Sequence, residues 1–537
     1  MTKYAQHVST KTTPQSEAIP DKDMVQNSAG GFGFAIDDWQ RLDRWLILGA
    51  DGGTYYASER KLTQENAQCV LRCLKEDAAR TVQTIVDISK AGRAPKNDPA
   101  IFALALAFAH GAPEAKKLAS AALPEVCRIG THIFQFATAI NELRGWGRSV
   151  RKAVANWYLS KDARSLSHQL TKYQQRDGWS HRDLLRLCHA KANDETINSA
   201  LRWAVGKNEF MHPEALEDAS PLVSIQAFEA AKRAKDKAEI VKLIRDYKLV
   251  RECVPTQFLT EPEVWEALLE DMPLTAMIRN LATMTRIGLL GPLAKANAKV
   301  IGELGNSERL RKSRVHPIAV LSALLTYKQG HGERGKNTWT PVQQIVDALD
   351  GAFYTSFDNV EPTGKRWYLG IDVSGSMWSG TIAGVPGLTP GIAAACMAMV
   401  TAKVESNHYF AAFSAKMVPF DVSPRERLDT VVQKLMQKLM QLPWGGTDCA
   451  QPMLDALTRK IEVDAFVTYS DNESWAGTVH PCQALERYRR EMKIPAKFVA
   501  CGMTATEYSV ADKDDAGSTN VVGFDTATPQ LIANFVA

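Results

Sequence analysis

The feature that most constrains the fold is a long series of short amphipathic segments between Asp37 and Asp350. Over roughly twelve segments or more, apolar residues recur at intervals of three and four, the spacing that places them on one face of an α-helix. Examples are Ala79–Ala91, Leu123–Leu143 and Val264–Leu281. A short helix cannot bury such a face alone, so helices in series must stack as antiparallel pairs. The sequence therefore predicts an α-solenoid of degenerate, HEAT-like repeats, and the periodicity leaves open whether its ends meet.

Residue types that cap helices mark several of the predicted helix starts. Thr63, Asn97, Ser180 and Thr340 each precede such a segment, and Pro follows in the Asn97-Asp98-Pro99 and Thr340-Pro341 sequences. A side-chain oxygen at this position accepts from the free N–H groups of the first turn, and Pro suits the first helical residue. We expect helices to begin at these points.

Strands and helices alternate in the last third of the chain. Apolar, strand-like runs lie at Trp367–Val373, Tyr409–Phe413, Ala465–Tyr469, Lys497–Cys501 and Asn520–Gly523, with helical patterns between them. This alternation predicts an α/β domain with a mostly parallel sheet, whose ligands bind at the carboxyl ends of the strands. We thus predict an N-terminal arm at residues 1–36, a helical repeat domain at 37–360 and an α/β domain at 361–537.

Oxygen donors cluster where two of these strands end. The first strand leads into Asp372-Val-Ser-Gly-Ser376, a later strand leads into Ser470-Asp471, and Gly445-Gly446-Thr447 opens a helix between them. Carboxylates and hydroxyls are the ligands that Mg²⁺ prefers. The alternative is a metal-free, serine-rich turn.

This combination resembles the metal-ion-dependent adhesion site of von Willebrand factor A domains. The resemblance implies that Ser374, Ser376 and Thr447 bind a divalent cation, Mg²⁺, directly, and that Asp372 and Asp471 bind it mainly through water. It also implies one open coordination position for a partner's carboxylate.

Basic residues recur at helical spacing near the middle of the chain. Lys172 and Arg176 are four residues apart, and Arg182, Arg186 and His189 follow at i, i+4 and i+7. Cationic stripes of this kind can follow the phosphates of a nucleic acid, although an ordinary solvated face has the same pattern. Arg279 and Asn280 interrupt another apolar helix, where they could face a partner, a cavity or a neighbouring helix.

Helical repeats joined to such a metal-site domain resemble the Ro ribonucleoprotein family, which carries the TROVE module and includes bacterial Ro sixty-related proteins. The resemblance spans nearly the whole chain after its first 30 residues. It rests on Gly52-Gly-Thr-Tyr-Tyr56, Lys172-Tyr173 with Arg176, Gly178-Trp-Ser-His-Arg-Asp-Leu-Leu-Arg186, Met272-Pro-Leu-Thr-Ala276 with Arg279-Asn-Leu281, Val315-His-Pro317 and the Asp372 loop.

The resemblance implies a ring of helical repeats with two RNA sites. Small non-coding Y-type RNAs bind the outer surface, and Lys172, Arg176 and His189 match the positions of those contacts. The single-stranded 3′ ends of misfolded non-coding or ribosomal RNAs enter the central hole, for which Arg279 is a candidate lining residue. Members act in RNA quality control, maturation or decay, and in bacteria they can work with an exoribonuclease such as polynucleotide phosphorylase.

Charge, hydropathy and cysteine content indicate which kinds of partner and which cellular compartment suit this chain. Residues 1–366 carry 50 Lys and Arg against 42 Asp and Glu, whereas residues 367–537 carry 14 against 18, so only the helical part has an excess of positive charge for a polyanion. No apolar run reaches the roughly 18 residues of a membrane span, and the polar start lacks a secretory signal. The nine scattered cysteines suggest buried, reduced thiols.

We therefore expect a cytoplasmic monomer that is not an enzyme, because no nucleophile, kinase or zinc-protease motif is complete. The rival hypothesis is a HEAT-like scaffold that binds protein partners through its metal site. An RNA-processing enzyme is the third and least supported possibility.

Overall fold

The computed structural model describes residues 12–49, 67–207, 220–313, 315–332, 336–357, 360–382, 388–418, 420, 423–441, 445–504 and 506–537. These residues form two compact units. Residues 67–356 make the first, and residues 12–49 together with 357–537 make the second. The Gly52–Tyr56 motif and the predicted cap at Thr63 lie outside the described residues.

The described N-terminal residues hold three short elements, which are β1 (Met24–Gln26), β2 (Phe32–Ala35) and α1 (Asp38–Leu48). Asp37 caps α1 by accepting from the Gln40 N–H, and Gly49 ends the helix in the left-handed conformation.

The described residues of the first unit are mostly helical and include one two-stranded hairpin. Its elements are α2 (Gln68–Glu76), α3 (Ala78–Ala91), α4 (Asp98–His110), α5 (Pro113–Val126), α6 (Gly130–Leu143), α7 (Arg148–Leu159), α8 (Ala163–Lys172), β3 (Gln175–Arg176), β4 (Trp179–Ser180), α9 (His181–Cys188), α10 (Glu195–Ala204), α11 (Val223–Arg233), α12 (Lys237–Tyr247), α13 (Pro262–Glu270), α14 (Leu274–Arg286), α15 (Ala296–Leu304), α16 (Ser307–Ser313), α17 (Pro317–Gln329) and α18 (Gln343–Thr355).

Neighbouring helices stack along the chain, as their apolar faces require. α3 packs against α5, α4 against α6, α5 against α7 and α7 against α9, and the stacking continues through α11, α12 and α13. The largest side chains buried by this packing include Trp157, Tyr158 and Trp265. This confirms the predicted helical region.

One hydrogen bond connects the beginning of this array with its end. His316 Nε2, in the residue that caps α17, lies 3.2 Å from the backbone carbonyl oxygen of Arg93, which follows α3. The two residues are separated by 223 positions in sequence. The last helices therefore return to the first ones within the unit.

Two predicted helices are each divided in the structure. The predicted Leu123–Leu143 helix is α5 and α6, because the backbone is extended at Ile129 and the Cys127 carbonyl accepts from the Trp157 indole instead of a later N–H. The predicted Val264–Leu281 helix is α13 and α14, separated at Pro273, which has no N–H to donate.

The predicted caps have mixed outcomes. Ser180 caps α9 in a capping box with Asp183. Asn97 precedes α4, but its side chain bonds to Ser89 and to the Val126 carbonyl rather than to the helix. The start predicted at Thr340 is two residues early, because α18 begins at Gln343.

The second unit is an α/β domain built on a six-stranded sheet. Its elements are β5 (Trp367–Asp372), α19 (Pro390–Val404), β6 (His408–Phe413), β7 (Met417–Val418), α20 (Leu428–Gln441), α21 (Gln451–Arg459), β8 (Ala465–Ser470), α22 (Pro481–Met492), β9 (Lys497–Gly502), β10 (Tyr508–Ser509), β11 (Ser518–Val522) and α23 (Thr528–Val536). The strand order is β11-β9-β8-β5-β6-β7, and every pairing is parallel except β6 with β7. The predicted fold class is confirmed.

Helices cover both faces of this sheet, so its central strands β5 and β8 are buried along their whole length and are mostly apolar. On one face, Tyr368 and Phe466 pack with α21 and α22 in a core that includes Tyr488. On the other face, Tyr469 meets α19, where its hydroxyl lies 3.3 Å from Thr401 Oγ1. The alternation along β8 follows from the two-residue period of a strand.

The N-terminal residues join this unit by strand pairing. β2 pairs with β1 on one side and with β10 on the other, where Tyr508 lies opposite Ala35. The boundary that we predicted at Asp37 therefore differs from the boundary of the compact units, because residues 12–49 pack with the α/β domain.

Two further expectations concern cysteine and membrane spans. All nine cysteines are buried and free of disulfides, as expected for reduced thiols. Among the described helices, none has the length and hydropathy that crossing a bilayer would require.

The buried His181 provides a test of this packing. Its Nδ1 lies 2.8 Å from the Tyr158 hydroxyl, and burial lowers the pKa of His181 to about 4, below its ordinary value of 6.5. Between pH 6.5 and about pH 4, His181 binds a proton in the unfolded chain but not in the folded chain. The free energy of unfolding therefore falls as the pH falls. The loss is at most about 1.4 kcal/mol per pH unit.

We expect a His181→Gln variant to lose less stability between pH 7 and pH 5 than the wild type, although its stability at pH 7 is lower. Urea unfolding at a series of pH values measures this difference. Equal pH dependence in the two proteins would contradict a buried, neutral His181.

Candidate functional site

The order of the strands places the loops after β5 and β8 next to each other at the carboxyl edge of the sheet. β5 is flanked by β6 and β8, so the chain reverses direction across the sheet at β5. In open parallel sheets such a reversal forms a crevice at the carboxyl ends of the strands. The loop that starts at Asp372 and the loop that starts at Ser470 therefore begin side by side.

The loop after β5 brings two hydroxyls together. Ser374 Oγ lies 3.1 Å from Ser376 Oγ, and both side chains are buried. The Ser374 N–H donates to Asp372 Oδ1 at 2.9 Å, which fixes the start of the loop. A 3₁₀ turn at Gly375–Trp378 shapes the loop.

Two buried carboxylates face this loop. Asp372 Oδ2 accepts from Ser470 Oγ at 2.7 Å, and Asp471 Oδ1 accepts from the Glu473 N–H at 3.0 Å. Burial raises the pKa of both carboxyls, and the charge of Asp471 raises the pKa of Asp372 further. The Ser376 hydroxyl partly offsets the rise in the pKa of Asp471.

The third loop supplies Thr447, which is buried. Its carbonyl oxygen accepts from the N–H groups of Trp475 and Ala476 at 2.9 and 3.0 Å, so this loop is attached to the one after β8. Gly446 permits the close approach, because a Cβ there would lie 2.5 Å from the Ala476 Cβ. The structure thus brings the Thr447 loop against the loop of Asp471.

These residues suit a divalent cation. Asp471 Oδ2 is buried, and within the described part of the chain it has no hydrogen-bond partner of good geometry. A buried carboxylate oxygen without a partner is costly unless a cation or water compensates it. The described residues contain no group of three or more His, Cys, Asp or Glu side chains for a metal, so a cation here would depend on the hydroxyls as well as on Asp372 and Asp471.

A second candidate surface is built around the β3–β4 hairpin. Arg176 pairs with Trp179, and the turn between them is Asp177-Gly178 with φ values of 51° and 80°. Two central residues with positive φ are the pattern of a type I′ turn, which Asp-Gly favours. The Trp179 ring packs 5.5 Å from the Trp146 ring, which fixes the hairpin against the loop after α6.

α9 follows directly and presents cations to solvent. It buries Leu184, Leu185 and Cys188, and the opposite face exposes Arg182 and Arg186. His189 is exposed at the end of the helix, in the left-handed conformation.

These cations have few partners in the protein. No described residue makes a hydrogen bond or an ion pair with the side chains of Arg182, Arg186 and His189. Arg176 is exposed and has one ion pair, 3.4 Å from Nε to its neighbour Asp177. Lys172 is half-buried, with Nζ 5.3 Å from the centre of the Tyr173 ring. Positive charge at this surface is therefore largely uncompensated.

The predicted helical stripes are corrected in part. Arg182 and Arg186 share a helix face as expected, but Lys172 and Arg176 do not, because α8 ends at Lys172 and Arg176 lies in β3. The Asp177-Gly178 dipeptide was the sequence signal for the hairpin that the helical interpretation missed.

Arg279 is exposed on α14, whose other face buries Met277, Ile278 and Leu281. Its neighbour Asn280 donates to the Ala276 carbonyl at 2.8 Å within the same helix. The Arg279 side chain is thus available to a partner, whereas the Asn280 amide bonds to the backbone of its own helix.

Family models match most of the chain. Residues 25–326 match the TROVE domain, and residues 366–536 match the Ro60 vWA domain. The first match begins within β1, among the residues that pack with the α/β unit.

Curated relatives match over nearly their whole length. The chain is 41% identical to the RNA-binding protein RO60 of Deinococcus radiodurans over 97% of both chains, and 35% identical to that of Caenorhabditis elegans over 97% of this chain and 91% of the relative. The crystal structure of the Deinococcus radiodurans RO (RSR) protein superposes with a TM-score of 0.70 at 40% identity, covering 93% of this chain and 99% of that one. The predicted family is confirmed, and the chain belongs to the RO60 family.

Proposed function

We propose that this protein binds RNA through its helical unit and acts in RNA quality control, maturation or decay. The observation that carries the proposal is the group of exposed basic residues Arg176, Arg182, Arg186 and His189 on the hairpin and α9, in which Arg176 has an ion pair with its neighbour Asp177. The relatives from Deinococcus radiodurans and Caenorhabditis elegans are named RNA-binding proteins. We place small non-coding Y-type RNA on this face, with Lys172 as a further contact.

The rigidity of the face favours ordered phosphate contacts. Asp177 and Gly178 fix the hairpin turn, the Ser180 capping box fixes the start of α9, and Trp179 anchors the hairpin to Trp146. A backbone that is fixed in this way loses less conformational entropy on binding than a flexible loop. Other basic residues are less suitable, since Arg309 and Lys312 pair with Glu303 and Glu308.

We place the single-stranded 3′ ends of misfolded non-coding or ribosomal RNAs in a central hole of the helical ring, with Arg279 as a lining residue. The contact between His316 and Arg93 supports an array whose ends meet. On this proposal the protein works in the cytoplasm as a monomer, with an exoribonuclease such as polynucleotide phosphorylase as its processing partner.

We propose further that the α/β domain holds Mg²⁺. Ser374, Ser376 and Thr447 would bind the ion directly, and Asp372 and Asp471 would bind it mainly through water. The ion would supply a hard cation to which a partner's carboxylate can bind. The buried Asp471 Oδ2 supports this proposal, because a cation would compensate it. The same site is the basis of the alternative function, a scaffold for acidic protein partners.

The basic surface formed by the β3–β4 hairpin and α9, called the outer face below, is tested with a Y-type RNA hairpin. Lys172→Ala/Arg176→Ala and Arg182→Ala/Arg186→Ala should each weaken binding about tenfold or more and reduce the slope of log affinity against log salt by roughly 1 to 2. Filter binding at several salt concentrations measures both quantities.

The matched control is Arg490→Ala/Lys493→Ala, which removes two cations from exposed positions of the α/β domain. Thermal unfolding should change little in all three variants, because the side chains are largely exposed. Wild-type affinity in both outer-face variants would refute this surface.

The hole is tested by comparing two RNAs. Arg279→Ala should weaken binding of a structured RNA that ends in a single-stranded 3′ tail and leave binding of the Y-type hairpin unchanged. The outer-face variants should retain more of their affinity for the tailed RNA than for the hairpin. Equal effects of Arg279→Ala on both RNAs would contradict two separate sites.

The metal site is tested by titrating Mg²⁺ into the full chain by calorimetry, with the melting temperature as a second readout. Mg²⁺ should bind the wild type and raise its melting temperature, since a ligand that binds only the folded state stabilises it. Ser374→Ala/Ser376→Ala should bind at least about tenfold more weakly, because two direct ligands are lost.

Thr401→Val is the control for that experiment. It removes a buried hydroxyl of α19 that lies against the Tyr469 hydroxyl and is not a candidate ligand, so the variant should bind Mg²⁺ like the wild type. An equal response of the wild type and the double serine variant would exclude the site.

A further inference from the structure

The N-terminal residues contact the loops that carry two of the candidate metal ligands. Gln15 is fully buried in the α/β unit, although it lies some 430 to 460 positions in sequence from its side-chain partners. Its backbone N–H donates to the Gly477 carbonyl at 2.9 Å, and its carbonyl accepts from the Phe32 N–H at 2.9 Å. Hydrogen bonds of its N–H and of its carbonyl therefore hold the Gln15 backbone in place.

The Gln15 amide connects the two loops directly. Its Nε2 donates to Asp448 Oδ1 at 2.6 Å and to the Val479 carbonyl at 2.8 Å. Its Oε1 accepts from Ser474 Oγ at 2.5 Å. Asp448 follows Thr447 in sequence, and Ser474 lies three residues after Asp471. One side chain therefore bonds to both loops at once.

The partners of Gln15 hold the loops themselves. Asp448 accepts from the Ala450 N–H at 3.0 Å and from Gln451 Nε2 at 2.7 Å, so it fixes the start of α21. Ser474 Oγ accepts from the Cys449 N–H at 2.9 Å, which joins the loop after β8 to the segment that follows Thr447. Loss of the Gln15 bonds would therefore affect the segment that follows Thr447 and the loop after β8.

Packing around the amide leaves little room for movement. A Cβ added at Gly477 would lie 2.3 Å from Gln15 Nε2 and 2.5 Å from Asp448 Oδ1, so only glycine permits this approach. Asn27 reinforces the contact, since its Nδ2 donates to the Ser474 carbonyl at 2.9 Å. The N-terminal segment also has anchors away from the loops, such as the ion pair of Lys22 with Asp512 at 2.9 Å.

We infer that residues 12–35 are a positioning element of the metal site and that Gln15 fixes the Thr447 hydroxyl relative to Asp471. This inference rests on the proposed Mg²⁺ site. Mg²⁺ requires near-ideal octahedral geometry, so small displacements of one ligand weaken its binding. The Thr447 and Asp471 loops follow different elements, and the Gln15 side chain bonds to both loops.

The test is Mg²⁺ titration of the full-length protein with Gln15→Met, a side chain of similar size that cannot make the three amide bonds. We expect Mg²⁺ to bind about fivefold to twentyfold more weakly than to the wild type, because ligand alignment is lost while the ligands remain. The melting temperature in EDTA measures any loss of stability separately. Lys22→Met is the matched control, since it releases an anchor of the same segment and should keep wild-type Mg²⁺ affinity.

A double-mutant cycle separates positioning from general support of the fold. If Gln15 acts through Thr447, Gln15→Met should weaken Mg²⁺ binding much less in a Thr447→Ala background than in the wild type. Additive effects in the cycle would overturn the inference. Gln15→Leu, which also removes all three amide bonds and leaves Ser474 intact, provides the same comparison where Gln15→Met does not fold.

The outcomes distinguish the inference from the site on which it rests. A wild type that does not bind Mg²⁺ refutes the metal site and the inference together. A wild type that binds Mg²⁺, with Gln15→Met and Gln15→Leu binding equally well, refutes only the positioning role. Weaker binding in these variants, with Lys22→Met unchanged and a non-additive cycle, supports it.

Discussion

Burial of Asp372 and Asp471 at one edge of the sheet is the constraint on which the α/β unit depends. Two carboxylates in a low-dielectric site are unfavourable unless hydrogen bonds or a cation compensate them. The protein supplies part of that compensation through Ser374, Ser470 and the Glu473 N–H. Asp471 Oδ2 has no hydrogen-bond partner of good geometry among the described residues, which is the observation that supports the proposed Mg²⁺ at these loops.

Much of this organisation was predictable, because it follows from local patterns. The five parallel strands were identified within one or two residues, since a strand buried on both faces is a short, apolar run. Four of the five candidate ligands were predicted from the ends of those strands, and Thr447 was predicted from a glycine-rich loop that opens a helix. Helix boundaries were less predictable where a tertiary contact decided them, as at Cys127, whose carbonyl bonds to Trp157.

The role of the N-terminal residues could not be predicted from the sequence. Their partners are hundreds of positions away, and a segment with a weak pattern, such as Phe32–Ala35, does not reveal that it will pair with Tyr508. Gln15 is polar and looks like a surface residue, yet it is fully buried because three partners satisfy its amide. Burial of a polar residue depends on tertiary partners, which composition and periodicity do not contain.

Tertiary structure also decides the arrangement of the basic surface, which sequence spacing predicted only in part. Spacing alone placed Lys172 and Arg176 on one helix, whereas the Asp177-Gly178 turn places Arg176 on a hairpin and aligns Ser180 to cap the helix of Arg182 and Arg186. Beneath it, the buried His181 and Tyr158 connect this surface to the core. The cations are therefore held by a turn, a cap and a buried hydrogen bond together, so the geometry that RNA would meet is set by the folded unit rather than by the order of charges in the sequence.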